Sequence, residues 1–174
     1  MLLRRLEQWD HNSFCRVFGC SSSRLAYNVS YWLSKTADGP LYVLLVASLF
    51  VLGYAAAWPL FQLLLASFAL ELPLYLLLKN SIKRARPADR LTAYINAHIV
   101  PSDQFSLPSG HTAGAFVFAA CLAMHFPVAA LPAYFWAAAI GLSRIMLGVH
   151  FPLDVIAGVI LGSACCAVAY FIII

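Results

Sequence analysis

The chain has 174 residues, of which 63% are hydrophobic and only 10% charged. An average soluble domain carries about 25% charged residues, so a soluble globule of this size would lack the charge to cover its surface. Disorder is excluded as well, because it needs low hydrophobicity and high charge. The net charge of +4 comes from 11 Lys and Arg against 7 Asp and Glu. No basic helix face interleaved with aromatics is present, so nucleic acid is not an expected partner. The composition is that of a membrane protein.

Residues 2–36 mix charges with Leu2, Leu3, Leu6, Trp9, Phe14, Val17 and Phe18. That spacing predicts an amphipathic helix on the bilayer surface, with Arg4, Arg5 and Arg16 near head groups. Glu7, Asp10 and the lack of an apolar core argue against a cleavable signal peptide. Residues 25–33 predict a second surface or partly buried helix. Asp38-Gly39-Pro40 is a turn signal. It divides an N-terminal interfacial segment, 1–39, from a membrane-embedded domain, 40–174.

Five long apolar stretches follow, over roughly 40–58, 59–78, 111–126, 128–147 and 152–174. A membrane-crossing helix needs about 20 residues. The predicted fold is therefore an all-α, polytopic transmembrane helix bundle of about five spans plus the surface helix. Trp58-Pro59 and Phe126-Pro127 mark its tight hairpins. Gly110-x3-Gly114 and Gly158-x3-Gly162 permit close helix contact inside the bundle. Trp9, Trp32, Trp58 and Trp136 fit interface belts. Cys121, Cys165 and Cys166 read as small packing residues, and Cys15 and Cys20 are a pair able to bond on an oxidising side. Glu71 is an intramembrane carboxylate, eight residues before Lys79.

The segment 79–110 is polar, with a short helix expected over 88–97. A loop so long is usually functional or disordered. With five spans, this loop and the connection 143–151 fall on one membrane side, together with every Lys and Arg. A polar site can be assembled on that face alone. Lys83, Arg84 and Arg90 read mainly as head-group or solvent contacts.

Three islands there carry chemistry. Lys79, Arg86 and Arg144 are cations near the boundary; arginine offers a fork for phosphate oxygens and lysine a point charge. Ser109 stands as N-cap of the third span, where free N–H groups suit an anion, and Gly110 lets backbone approach closely. His111 and His150 are imidazoles able to act as acid, base or nucleophile. Asp154, four residues after His150, is placed to accept its ring proton and leave the other nitrogen free to attack. No cluster has metal-ligand spacing, and the cations already supply the electrostatics a metal would.

The blocks Lys79-x6-Arg86-Pro87, Pro108-Ser109-Gly110-His111 and Ser143-Arg144-x5-His150-x3-Asp154 resemble the signature of the type 2 phosphatidic acid phosphatase superfamily. All three occur in order over residues 79–154. The resemblance implies that His150 forms a phosphohistidine, that Asp154 orients it, and that His111 protonates the leaving oxygen and then activates water. It implies that Lys79, Arg86, Ser109, Gly110 and Arg144 bind the phosphoryl oxygens. It implies no metal or other cofactor. It says little about residues 1–40.

The expected activity is a lipid phosphate or diphosphate phosphatase acting on substrate from the bilayer. The compact chain most resembles small bacterial undecaprenyl-diphosphate phosphatases. Phosphatidylglycerol phosphate or phosphatidic acid is the alternative substrate. A lipid-to-lipid phosphotransferase and a non-catalytic lipid-binding or transport protein are the alternative functions. The positive-inside rule puts the basic face in the cytoplasm, whereas the resemblance implies a periplasmic site in a bacterial inner membrane. We follow the resemblance.

Overall fold

The computed structural model describes residues 1–91, 95, 97–101 and 103–173. The chain is an all-α membrane bundle. Its helices are α1 (Leu2–Gly19), α2 (Arg24–Lys35), α3 (Pro40–Val51), α4 (Ala57–Ile82), α5 (Pro87–Arg90), α6 (Gly110–His125), α7 (Ala130–Met146) and α8 (Pro152–Ile173), with a 3-10 turn at Pro127–Ala129. Part of the helix expected over 88–97 lies outside the described residues; what is described of it is the single turn of α5.

Among the described residues, three helices are long and apolar enough to cross a membrane: α4, α7 with the 3-10 turn, and α8. The other two expected spans are shorter, with 12 residues in α3 and 16 in α6. At about 1.5 Å per residue they reach roughly 18 and 24 Å, against a hydrocarbon core of about 30 Å. The first hairpin also lies earlier than expected. The chain turns over residues 52–56, and Trp58 and Pro59 belong to the first turn of α4. Residues 52–56 are themselves apolar or small, so hydropathy runs through the turn without a dip. Proline is tolerated in a first helical turn, where its missing N–H has no partner to lose.

α6 is the central helix and packs on α4, α7 and α8. Its apolar faces are shared: Val117, Phe118 and Cys121 meet Leu60, Leu63, Leu64 and Cys166, while Ala115 and Ala119 meet Ala133, Ala137 and Ile140. Small residues let α6 and α8 touch backbone to backbone. A Cβ added at Gly158 would sit 2.7 Å from the Ser109 carbonyl oxygen, and one at Gly162 would collide with that of Ala113. Leu44, Leu65, Ile160 and Phe171 are over 60% exposed on the outside, a surface that suits lipid. Cys15 and Cys20 are free thiols.

Both N-terminal helices are pinned to the bundle. α1 packs on α7 and α8 with Asp10 and Phe14 buried, and Phe14 lies edge-on to Phe151 at 5.2 Å. α2 packs along α7 with Ser30 and Ser34 buried. Trp136 is not part of an interface belt. Its indole turns inward and donates to Thr36 Oγ1 at 2.9 Å, fixing the α2–α3 turn. The alternation of directions brings the C-terminal ends of α4 and α7 beside the N-terminal ends of α6 and α8. The site is built at that end.

Candidate active site

Lys79 lies inside α4, which runs on to Ile82 rather than ending at 78. The helix stops at Lys83, held in the left-handed region at φ 49°, and the chain then turns inward. Lys79 is buried. Its Nζ donates to the Tyr75 hydroxyl at 2.5 Å and to Asp103 Oδ2 at 2.6 Å. Arg86, also buried, pairs through Nη2 with Asp103 Oδ1 and donates from Nη1 to the Val149 carbonyl at 2.6 Å. Asp103 is thus gripped by two of the predicted phosphate-binding cations. Burial pushes its carboxyl up, but hydrogen bonds from Lys79 and Tyr75, with the Lys79 and Arg86 charges, outweigh that and hold it at about 2.

Ser109 occupies the N-cap position of α6, as predicted, but its hydroxyl does not cap the helix. It accepts a hydrogen bond from Thr112 Oγ1 at 2.9 Å, while its N–H donates to the Asp154 carbonyl at 3.0 Å. That second bond ties the start of α6 to the start of α8. At Gly110 an added Cβ would meet the Tyr75 ring at 3.0 Å, so Gly110 presses against the residue that holds Lys79. His111 Nε2 lies 2.9 Å from Asp38 Oδ1.

The third island closes α7 and opens α8. Arg144 is buried, donates from Nη1 to Ser34 Oγ at 2.6 Å, and keeps a buried Nε with no partner among the described residues. Gly148 takes φ +78°, a conformation costly for other residues, and a Cβ there would strike Phe18 at 2.8 Å. That turn delivers His150 to the interior. Burial, helped by the Arg144 and Arg86 charges, outweighs the neighbouring Asp154 and lowers the His150 imidazole to about 4. Its Nδ1 is 3.8 Å from Asp154 Oδ2, beyond hydrogen-bond reach, and has no partner among the described residues. Asp154 is buried and spends its oxygens elsewhere: Oδ2 accepts from the Phe151 N–H at 2.7 Å and Oδ1 from Arg84 Nη1 at 2.6 Å. A shift of under about 1 Å would close the imidazole–carboxylate bond, and such contacts often tighten only with substrate bound.

All eight residues named from the sequence therefore stand at one end of the bundle. Lys79 and Arg86 share Asp103; Arg86 reaches the carbonyl beside His150; Ser109 is bonded to Asp154. Gly110, His111 and Arg144 line a cavity of about 500 Å³ with Ser34, Lys35 and Asp38. Arg84, expected at head groups, is instead clamped between Asp10 and Asp154, its side chain 14% exposed. Asp10 also accepts the Leu153 N–H at 2.8 Å. The sequence reading missed Asp10, Ser34, Asp38, Tyr75 and Asp103 as members of the site. Two of them carried a signal. Tyr75 sits four residues before Lys79, one helical turn away on the same face. Asp10 falls on the apolar stripe of Leu6, Phe14 and Val17.

A family model described as PAP2 superfamily matches residues 56–173, more than half of the chain. The chain belongs to the PAP2 superfamily. Among curated PAP2-like relatives, lipid A 1-phosphatase of Rhizobium johnstonii is 39% identical over 94 residues, covering 50% of this chain and 37% of that protein. Decaprenylphosphoryl-5-phosphoribose phosphatase of Mycobacterium tuberculosis is 38% identical over 91 residues, 50% of this chain and 46% of that one. The chain thus spans less than half the length of these two. Phosphatidylglycerophosphatase B of Bacillus subtilis is 34% identical over 153 residues, 75% of this chain and 70% of the relative. In three dimensions the chain is similar to LpxE of Aquifex aeolicus, with a TM-score of 0.77 and 25% identity over 92% of this chain and 93% of that one. A transmembrane PAP2-type phosphatidylglycerolphosphate phosphatase from Bacillus subtilis matches with a TM-score of 0.70 and 25% identity over 93% and 85%.

Proposed function

We propose that this chain is an integral membrane lipid phosphatase working through a phosphohistidine at position 150. What supports the reading is that His111 and Arg144 line one cavity while His150, Lys79 and Arg86 lie buried at the same end of the bundle. His150 is held neutral, as a nucleophile requires, and Asp154 lies on the Nδ1 side of its ring. Its Nε2 attacks phosphorus as the bond to the leaving oxygen breaks, and His111 gives that oxygen a proton. Water then attacks the phosphohistidine, His111 takes a proton from the water, and the P–N bond breaks to restore His150. Lys79, Arg86 and Arg144, with the Ser109 hydroxyl and the Gly110 N–H, hold the phosphoryl oxygens as charge develops.

The substrate enters from lipid, with its head group at the cations and its tail against the apolar helix faces. We keep undecaprenyl diphosphate as first choice, with phosphatidylglycerol phosphate or phosphatidic acid second. We place the site at the periplasmic face of a bacterial inner membrane. α8 carries the C-terminus away from the site, so a reporter enzyme fused there should report the cytoplasmic side; a periplasmic reporter signal would invert the orientation. The activity itself is tested by phosphate release from a panel of lipid phosphates and diphosphates in detergent. The parent should release phosphate from at least one, and His150→Ala should release none. Equal release by both would defeat the reading.

A further inference from the structure

We propose that Asp38 is a positioning residue for His111, so that the turn between α2 and α3, outside the family match, completes the proton-transfer side of the site. This rests on the reading of His111 as the group that protonates the leaving oxygen. The turn is built for rigidity. Thr36 Oγ1 donates to the Leu33 carbonyl at 2.6 Å and accepts from Trp136. Gly39 takes φ +105°, closed to most side chains, and lets Pro40 start α3 two residues after Asp38.

The Asp38 carboxylate divides its oxygens. Oδ1 meets His111 Nε2 at 2.9 Å and Oδ2 meets Lys35 Nζ at 2.9 Å. Burial raises this carboxyl, but hydrogen bonds from Lys35 and His111 outweigh it and hold it below the ordinary carboxylate range. An ionised carboxylate only accepts hydrogen bonds, so the ring must carry its proton on Nε2. Nδ1 is then the nitrogen that exchanges a proton with a leaving oxygen or a water. The same logic holds an imidazole in one tautomer wherever an aspartate backs a catalytic histidine.

The charges around the ring make Asp38 matter further. Arg144 from α7 and Lys35 from α2 line the cavity that His111 faces, and Asp38, bonded to the ring, is a carboxylate that opposes their charge. Tyr31, Lys35, Asp38 and Arg144 line the same cavity as His111. With Asp38 neutralised, two cations would face the ring unopposed and the protonated acid would be disfavoured further.

The test uses two soluble probes, dioctanoyl phosphatidic acid and p-nitrophenyl phosphate, with the full chain in detergent. The first releases a strongly basic alkoxide that needs an acid; the second releases a weakly basic phenolate that does not. The ratio kcat/KM covers only the steps through departure of the leaving group, so the later hydrolysis does not blur it. Asp38→Asn should lower kcat/KM for the phosphatidic acid on the order of a hundredfold and leave that for the nitrophenyl ester nearly unchanged. Asp38→Glu should recover part of the loss. An equal loss on both probes, or no loss on either, would overturn the proposal while an inactive His111→Asn left the phosphatase reading standing. Parent-level activity in His111→Asn would overturn the reading of His111 itself. A measurement on the parent alone decides the matter should Asp38→Asn fail to fold. Nitrogen-15 shifts of His111 should report the Nε2–H tautomer, and an Nδ1–H tautomer would overturn the proposal.

Discussion

Asp103 Oδ2 accepts the Lys79 ammonium at 2.6 Å, and its other oxygen takes Arg86, so a carboxylate of the chain itself sits on two cations assigned to phosphate. On the proposed reading, a phosphoryl group must displace it. Asp103→Asn removes that competitor, and the inhibition constant for inorganic phosphate should fall about tenfold, since a site blocked most of the time binds weakly in proportion. The buried cations would then lack a counter-ion, so the thermal midpoint should drop without phosphate and recover with it. The carboxyl is held at about 2, so it stays ionised from pH 5 to 8 and the tenfold difference should not vary across that range. Stability from these pairs is present above the ordinary carboxyl pKa and is lost only as pH falls toward about 2. Equal inhibition constants in parent and variant would refute the competition.

Arg84 carries a second network, joining Asp10 of α1 to Asp154 of α8. Removing one member of a buried ion pair costs about 3–5 kcal/mol, because the remaining charges lose their partner. Arg84→Gln strands two carboxylates, both almost fully buried. It should lower stability by that amount and reduce kcat, since Asp154 would no longer be held in place. Denaturation in detergent together with phosphate release measures both. A variant with parent stability would show that Arg84 is only a head-group contact.

Close approach of α6 and α8 sets the separation between Ser109 and Asp154. Gly162→Val forces a side chain into the Ala113 backbone. Overpacking of this kind costs roughly 1–3 kcal/mol. The unfolding midpoint and the specific activity should fall together, because the site straddles that helix pair. Gly19→Val is the control: nothing lies within 4 Å of its added Cβ, and it should leave activity intact. Equal effects at the two positions would mean the contact does not organise the site.

His150 should titrate well below the ordinary histidine value of about 6.5. Its neutral form is favoured in the fold, so the proposed nucleophile stays available as pH falls from 6.5 and is lost only near about 4. The stability tied to that neutral form is lost over the same window, because the unfolded chain takes up the proton first. Proton NMR of the ring should give a midpoint below 6.5 in the parent. Asp154→Asn should lower it further, since Asp154 is the neighbour that favours the charged ring. A parent midpoint at or above 6.5 would contradict the burial of this group.

The helical membrane class and the placing of the eight candidate residues at one end of the bundle were legible in the sequence because they depend on composition and on short spacings. Lys79 and Arg86, or His150 and Asp154, are fixed relative to one another by a few residues of chain. The remaining members were not legible because they reach the site through tertiary packing. Asp38 meets His111 across 73 positions, Ser34 meets Arg144 across 110, and Asp10 meets Arg84 across 74. No local pattern encodes such separations. The hairpin at 52–56 escaped for a different reason: a turn made of apolar residues leaves no mark in hydropathy. Arg84 was misread because a lone arginine beside a membrane span looks the same whether its partner is a lipid or a buried aspartate.

The central claim is that His150 takes the phosphoryl group from the lipid. The most direct measurement mixes excess enzyme with a lipid phosphate labelled in its phosphoryl group, quenches in alkali within a turnover, and maps the label by mass spectrometry. We expect a phosphohistidine at residue 150 in the parent, longer-lived in His111→Asn and absent in His150→Ala. Label on another residue, or phosphate released by His150→Ala at the parent rate, would contradict it.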